Sequence, residues 1–119
     1  MKFSESLKKT SDFRAVYKSG KSYANKYLVM YVKKNNLAKN RIGISVSKKV
    51  GNSVVRHHLT RLVREAYRLS EEKFIKGLDV VVIARVNAKD CTYHEIESAI
   101  YHLSKLHGIM ENKNEICND

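Results

Sequence analysis

The sequence predicts one α+β domain, a two-layer sandwich in the order α-β-β-α-β-α. Three observations carry this. Apolar residues recur at helical spacing over 12–19, 53–70 and 93–107. They alternate, or run continuously with β-branched residues, over 22–34, 41–47 and 78–85. The chain has 119 residues, 43% of them hydrophobic, with no proline and no internal repeat or linker, so it can bury one core. The domain is placed at residues 1–108. The tail, 109–119, holds Glu111, Glu115 and Asp119 against Lys113 and is expected to be disordered.

Residues 1–9 are polar and basic and read as an extended leader. Thr10 or Ser11 suits an N-cap, Asp12 suits the first turn, and Gly20 suits the stop. Phe13, Val16 and Tyr17 share one face of that helix. Val16 reads as core. Phe13 and Tyr17, two rings one turn apart among many cations, read either as core or as a stacking platform for unpaired bases. The strand over 22–34 puts Tyr23, Asn25, Tyr27, Val29 and Tyr31 on one side and Leu28, Met30 and Val32 on the other. The aliphatic side should meet the helices and the tyrosine side is free to line a groove. After the turn KKNNLAKN comes a second strand, 41–47, and a hairpin between the two is the simplest pairing. Gly43, Ser45 and Ser47 leave room on one face of that strand for a close neighbour, a helix or a ligand backbone.

Gly51 permits a positive φ, and Asn52 or Ser53 caps the helix over 53–70. Its apolar stripe is Val55, Leu59, Leu62, Val63 and Ala66. Gly77 ends the connection that follows. LDVVVIAR, 78–85, reads as a buried central strand that lies parallel to a neighbour, since a helix precedes it. Thr92 and Glu95 form a T-x-x-E capping box, and Ile96, Ala99, Ile100, Leu103 and Leu106 face the core from the last helix, which Gly108 ends.

Charge narrows the function. The formal net charge is +11, and the pI is about 9.7. Such a balance repels itself in a compact fold and suits a polyanionic partner, with nucleic acid the default. No run approaches the ~20 apolar residues of a spanning helix, and the N-terminus has no apolar signal core, so no membrane role is expected. Cys91 and Cys117 share no metal spacing and read as free thiols of a reducing cytoplasm. The five histidines have no zinc-finger spacing. There is no P-loop, GxGxxG, nucleophile elbow or HExxH, and the acids are few and scattered. His57 and His58, adjacent on a helix, point about 100° apart and cannot converge on one phosphate. The expectation is a protein without catalytic residues, metal site or small-molecule cofactor of its own.

The densest cationic stretch is Ser47–Arg68, SKKVGNSVVRHHLTRLVREAYR. It holds six Lys or Arg (Lys48, Lys49, Arg56, Arg61, Arg64, Arg68) and one acid, Glu65, a local balance of +5. At 100° per residue His57, Arg61, Arg64 and Arg68 fall within about 60° of one another, opposite the apolar stripe, with Arg56 and His58 on the flanks. A solvated helix face usually mixes both signs. This one is nearly all positive, so the reading is a basic loop followed by an RNA-binding helix. A DNA-reading helix ranks lower because no dimerisation element is visible.

This stretch resembles the signature of the bacterial ribonuclease P protein family, a basic SKK-G-N loop followed by an Arg-Asn-Arg core and RE at helical spacing. DFRAVYKSGKSYANKYLVMYV upstream and DVVVIAR downstream extend the likeness over about residues 8–107. The resemblance implies an α-β-β-α-β-α fold, of a type also found in a small-subunit ribosomal protein domain, with an unusual left-handed βαβ crossover. It implies a 1:1 partnership with one large catalytic RNA, which removes the 5′ leader of precursor tRNA using Mg²⁺ held mainly by the RNA. The protein is expected to bind the leader and to promote metal binding and active RNA structure. By position, Phe13, Tyr17 and Tyr31 match the family's cleft aromatics, and Lys48, Lys49, Asn52, Arg56, Arg61 and Arg64 match its basic loop and helix. This chain has Arg56-His57-His58 in place of Arg-Asn-Arg, and Thr60 where a Lys is common. A histidine lacks the bidentate fork of arginine. The other function carried forward is a general RNA-binding or ribosome-assembly module without a role in tRNA processing.

Overall fold

The computed structural model describes residues 4–111. Its elements are β1 (Ser4–Ser6), α1 (Thr10–Ser19), β2 (Lys21–Ala24), β3 (Leu28–Lys34), β4 (Asn40–Val46), α2 (Ser53–Ser70), β5 (Leu78–Ala84) and α3 (Tyr93–His107). Short 3₁₀ turns at Glu71–Lys73 and Val86–Ala88 flank β5. The α+β class and all three helices appear where the periodicity places them. Two strands are additional.

One of these is β1, three residues of the supposed leader, which pairs in parallel with β4. It is too short and polar to show a period. Leu7, just after it, is buried beside Val16 and Val81. The other comes from splitting the strand predicted over 22–34. The Asn25 side-chain carbonyl accepts from the Tyr27 and Leu28 amides at 3.2 and 3.0 Å, and the Asn25 amide donates to the Leu28 carbonyl at 2.9 Å. This asparagine turn folds β2 back antiparallel on β3, with Tyr23 opposite Met30. The unbroken alternation concealed the reversal. Tyr23 consequently lies on the α3 side, against His107 with ring centroids 4.7 Å apart, and does not share a face with Tyr31.

The sheet order is β1-β4-β5-β3-β2. β5 is central, parallel to β4 and antiparallel to β3. The expected hairpin between the strand through Leu28–Lys34 and that at 41–47 is therefore not formed. β5 separates them because it is apolar on both faces and must be covered on both. Val80, Val82 and Ala84 pack into the main core with Leu59, Val63, Ala66 and Tyr67 of α2 and Ile96, Ile100 and Leu103 of α3. Val81 and Ile83 point the other way, to Val16, Phe13 and Tyr31. So α1 covers the face opposite α2 and α3, and beneath it the sandwich gains a third layer. Leu106, placed in the core by periodicity, is 45% exposed, while Ser104 is buried with its hydroxyl donating to the Ile100 carbonyl at 2.7 Å.

The helix ends follow local chemistry. Thr92 and Glu95 form the expected capping box, and Gly108 takes the left-handed φ of 67°. α1 begins at Thr10, so the N-cap position falls on Lys9, ahead of the expected Thr10 or Ser11, and makes no side-chain cap bond. Gly20 is not left-handed; a Cβ there would stand 2.5 Å from the Val16 carbonyl oxygen. Gly51 likewise serves close approach, since a Cβ would meet Val55 at 2.9 Å. Beyond α3, Ile109 is buried, Met110 bridges to Phe74 and the Glu111 amide donates to the Lys73 carbonyl at 2.7 Å. The fold thus extends past 108 to 111, and the rest of the expected disordered tail, 112–119, lies outside the described residues.

An ion pair closes the α1 face at one end. Asp79, at the start of β5, accepts from Arg41 Nε at 2.8 Å and Nη2 at 2.6 Å, and from Asn35 Nδ2 at 2.9 Å. Arg41 also reaches Asp12 of α1 at 3.6 Å. Burial pushes the Asp79 carboxyl up. Arg41 and Asn35 outweigh it, and the group sits below the usual carboxylate range. A depressed carboxyl stabilises the fold above its unfolded pKa and loses that contribution as pH falls through the folded value. Asp79→Asn, which leaves Arg41 its partly exposed contact with Asp12, is therefore expected to cost about 1.5–3 kcal/mol at neutral pH, the worth of a hydrogen bond to a charged group. In urea melts across pH, the gap to wild type should close below roughly pH 4, the unfolded carboxylate range.

Candidate nucleic-acid interface

Two surfaces meet at the C-terminal end of β4. The first is a cleft between α1 and the sheet. Val16, fully buried against Val81, fixes α1 over the strands. Phe13 and Tyr17 then project along one side. Phe13 and Tyr17 have ring centroids 6.4 Å apart, and Tyr17 meets Tyr31 of β3 edge-on at 5.1 Å. Tyr17 is 39% exposed, and Phe13 and Tyr31 are half-buried. The three aromatics predicted for a cleft do come together, neither sealed in the core nor loose on the surface. Partial burial raises the Tyr17 phenol above its ordinary range, and a hydrogen bond with Ser45 pulls it the other way. The phenol stays neutral, with a polar handle beside an apolar ring face. Tyr23 and Tyr27 belong to the other side of the sheet.

The second surface is the basic loop and α2. Ser47 shapes the loop: its carbonyl accepts from the Val50 amide at 3.1 Å and its hydroxyl from the Lys49 amide at 3.3 Å. Val50 is buried, which leaves Lys48 and Lys49 exposed. The Asn52 side chain caps α2, accepting from the Val55 amide at 3.0 Å. Along α2, His57, His58, Arg61, Arg64 and Arg68 are exposed, while Leu59, Val63, Ala66 and Tyr67 are buried. The apolar stripe is as projected except that Tyr67 joins it and Val55 and Leu62 pack at its edge.

Three residues depart from a uniform cationic face. Arg68 is tied to Glu65, its Nε donating at 3.1 Å, and the guanidinium holds the Glu65 carboxyl below its ordinary range. Thr60 turns inward, its hydroxyl donating to the Arg56 carbonyl at 2.8 Å. Arg56 is half-buried, with Nε closed off from solvent. The freest positive charge on the helix is therefore Arg61 and Arg64, flanked by the two histidines.

These surfaces sit on opposite faces of the sheet, and only the loop joins them. Ser45 faces the cleft, and Lys48 is three residues further on, within about 10 Å of chain. Ser45 itself, as the partner of Tyr17, was visible in the sequence only as a small residue on one strand face. Among the described residues no group of three or more His, Cys, Asp or Glu is placed to hold a metal, and no helix is long and apolar enough to cross a membrane. Cys91 is a buried free thiol, pushed up by that burial; Cys117 lies outside the described residues.

An exposed aromatic cleft on one face and a cationic helix on the other define a small basic α+β domain of the nucleic-acid-facing class. The ribonuclease P family model matches residues 1–107, and the chain belongs to that family. It is 62% identical over 107 residues to the ribonuclease P protein component of Lachnoclostridium phytofermentans, covering 90% of this chain and 92% of the relative. With that of Clostridioides difficile it shares 56% over 100 residues, covering 83% and 88%. Among solved structures it is similar to a Staphylococcus aureus RNase P protein mutant with defective mRNA degradation activity, at 38% identity and TM-score 0.83 over 88% of this chain and 89% of that one. It is also similar to the Thermotoga maritima RNase P protein, at 32% identity and TM-score 0.78 over 85% and 96%. By family, then, it is a subunit of a tRNA-processing ribonuclease that partners with ribonuclease P RNA.

Because Asn52 caps the helix that carries the basic face, Asn52→Ala should lower stability by about 1 kcal/mol, and Asn52→Ser or Asn52→Asp should retain most of it. Denaturant melts of the four proteins measure this directly.

Proposed function

We propose that this chain is the RNA-binding subunit that assists the catalytic RNA of ribonuclease P, one protein to one RNA, in removing the 5′ leader of precursor tRNA. The α1 cleft holds the single-stranded leader through Phe13, Tyr17 and Tyr31. Lys48, Lys49 and the exposed cations of α2 hold the phosphates of the RNA subunit. The observation that carries this reading is the convergence of three half-exposed rings in one cleft with a basic loop at its end. Stacking is tolerant of sequence because every base has a π-face, and phosphate contacts carry no base code. The pair suits a strand of variable sequence attached to a structured RNA. The protein supplies positioning and charge neutralisation and no catalytic side chain. Mg²⁺ supplies the hydrolytic chemistry and is held mainly by the RNA; cations that neutralise nearby phosphates favour the compact RNA that binds it.

The test is reconstitution. Protein alone should leave precursor tRNA intact, and adding it to the RNA subunit should raise cleavage at low Mg²⁺. Phe13→Ala and Tyr17→Ala should each weaken affinity for leader-bearing precursor by roughly 5- to 150-fold, the equivalent of one stacked base, and leave mature tRNA affinity nearly unchanged. Equal affinity for both substrates in every variant would favour a general RNA-binding or ribosome-assembly module. Cleavage by RNA-free protein would sink the assignment.

The Arg56-His57-His58 sequence gives a separate expectation. His58 is exposed on the flank of the cationic face, and a fixed cation there adds counterion release. His58→Arg should tighten RNA binding and steepen the log K against log salt slope by about 0.7–0.9. An unchanged slope in filter-binding titrations would place His58 away from RNA.

A further inference from the structure

The α1-facing residues of β4 meet the cleft residues of α1 one by one. Arg41 reaches Asp12 at 3.6 Å, Gly43 lies under Phe13, and Ser45 stands beside the Tyr17 hydroxyl. The middle contact is the tightest. A Cβ built on Gly43 would stand 2.6 Å from both Cε1 and Cζ of Phe13, and 3.3 Å from Leu7 Cδ1. Carbon atoms in contact rest at about 3.5–4.0 Å, so the Phe13 ring occupies the volume that any other residue at 43 would fill. Gly43 has no positive φ; space, and not backbone conformation, is what glycine supplies there. β4 is hydrogen-bonded to β1 on one side and β5 on the other. Phe13 is the far end of a partly exposed side chain. Of the two, the ring yields.

We propose that Gly43 is a positioning residue for leader binding: by lacking a side chain it seats the Phe13 ring on the sheet and so sets the depth of the aromatic cleft. This rests on the leader-binding reading above. A methyl group at 43 lifts the ring edge away from β4, into the space a base would occupy, and out of register with Tyr17 and Tyr31.

The test is a double-mutant cycle in the enzyme reconstituted with its RNA subunit, reading affinity for precursor tRNA and for mature tRNA in wild type, Gly43→Ala, Phe13→Ala and the double variant. Gly43→Ala should lose at least about fivefold in precursor affinity and keep its mature tRNA affinity. The double variant should be no weaker than Phe13→Ala alone, because both changes act on one ring. If Gly43→Ala lowers the melting temperature, adding Phe13→Ala should restore it. Wild-type precursor affinity in Gly43→Ala, losses that multiply in the double variant, parallel loss of mature tRNA affinity, or a melting temperature that Phe13→Ala fails to restore each overturn the proposal. When Phe13→Ala weakens precursor binding and Gly43→Ala does not, only this inference fails. When neither does, the leader-binding reading fails with it.

Discussion

The two-sided burial of β5 is the constraint on which the rest of the molecule depends. Val80 and Val82 are fully buried under α2 and α3, and Val81 is fully buried under α1. Each such side chain contributes roughly 1.5–3 kcal/mol by leaving water. That demand puts β5 in the centre of the sheet, forces β3 and β4 apart, and requires a helix on each face. It also creates the functional geometry. The helix that covers Val81 is the one that carries Phe13 and Tyr17, so the cleft is a by-product of covering the sheet's second face with a helix too short to seal it.

The same arrangement separates two kinds of surface. Aromatic groups lie on one face of the sheet and cations on the other, bridged by the turn that Ser47 and Val50 hold at the end of β4. Under the proposed function, a single-stranded segment and a folded RNA are engaged at once without competing for residues. The acidic partners of the fold are placed to keep this division. Asp12 and Asp79 neutralise Arg41 beneath α1, and Glu65 engages Arg68 near the end of α2. The excess charge is left to the loop and the middle of the helix.

His57 and His58 stand where the family pattern has its asparagine and second arginine. Both are exposed. The helix gives up a permanent, forked cation at 58 and, through Thr60, a common lysine at 60. Thr60 spends its hydroxyl on the backbone of the helix itself, so no polar group replaces that lysine outward. The chain keeps the architecture of the cationic face with fewer fixed charges and relies more on Arg61, Arg64 and the Lys48–Lys49 turn.

The helices, their apolar stripes apart from Leu106 and Tyr67, the capping box of α3, the inward identity of β5 and the cationic stretch were legible in the sequence. Each rests on interactions within a few residues, where the 3.6 and 2.0 periods act directly. The membership of Phe13, Tyr17 and Tyr31 in one cleft was legible through family likeness; spacing alone left core and stacking equally open for the first two. What only the tertiary structure decided was everything that needs two distant segments to meet. The turn at Asn25 sends Tyr23 and Tyr31 to opposite faces although their alternation is unbroken. The leader strand β1 exists only because β4 offers an edge. Ser45 and Gly43 matter only because α1 lies on them. Sequence period fixes which face of an element is apolar, but the partner of that face is chosen by how the whole chain covers β5.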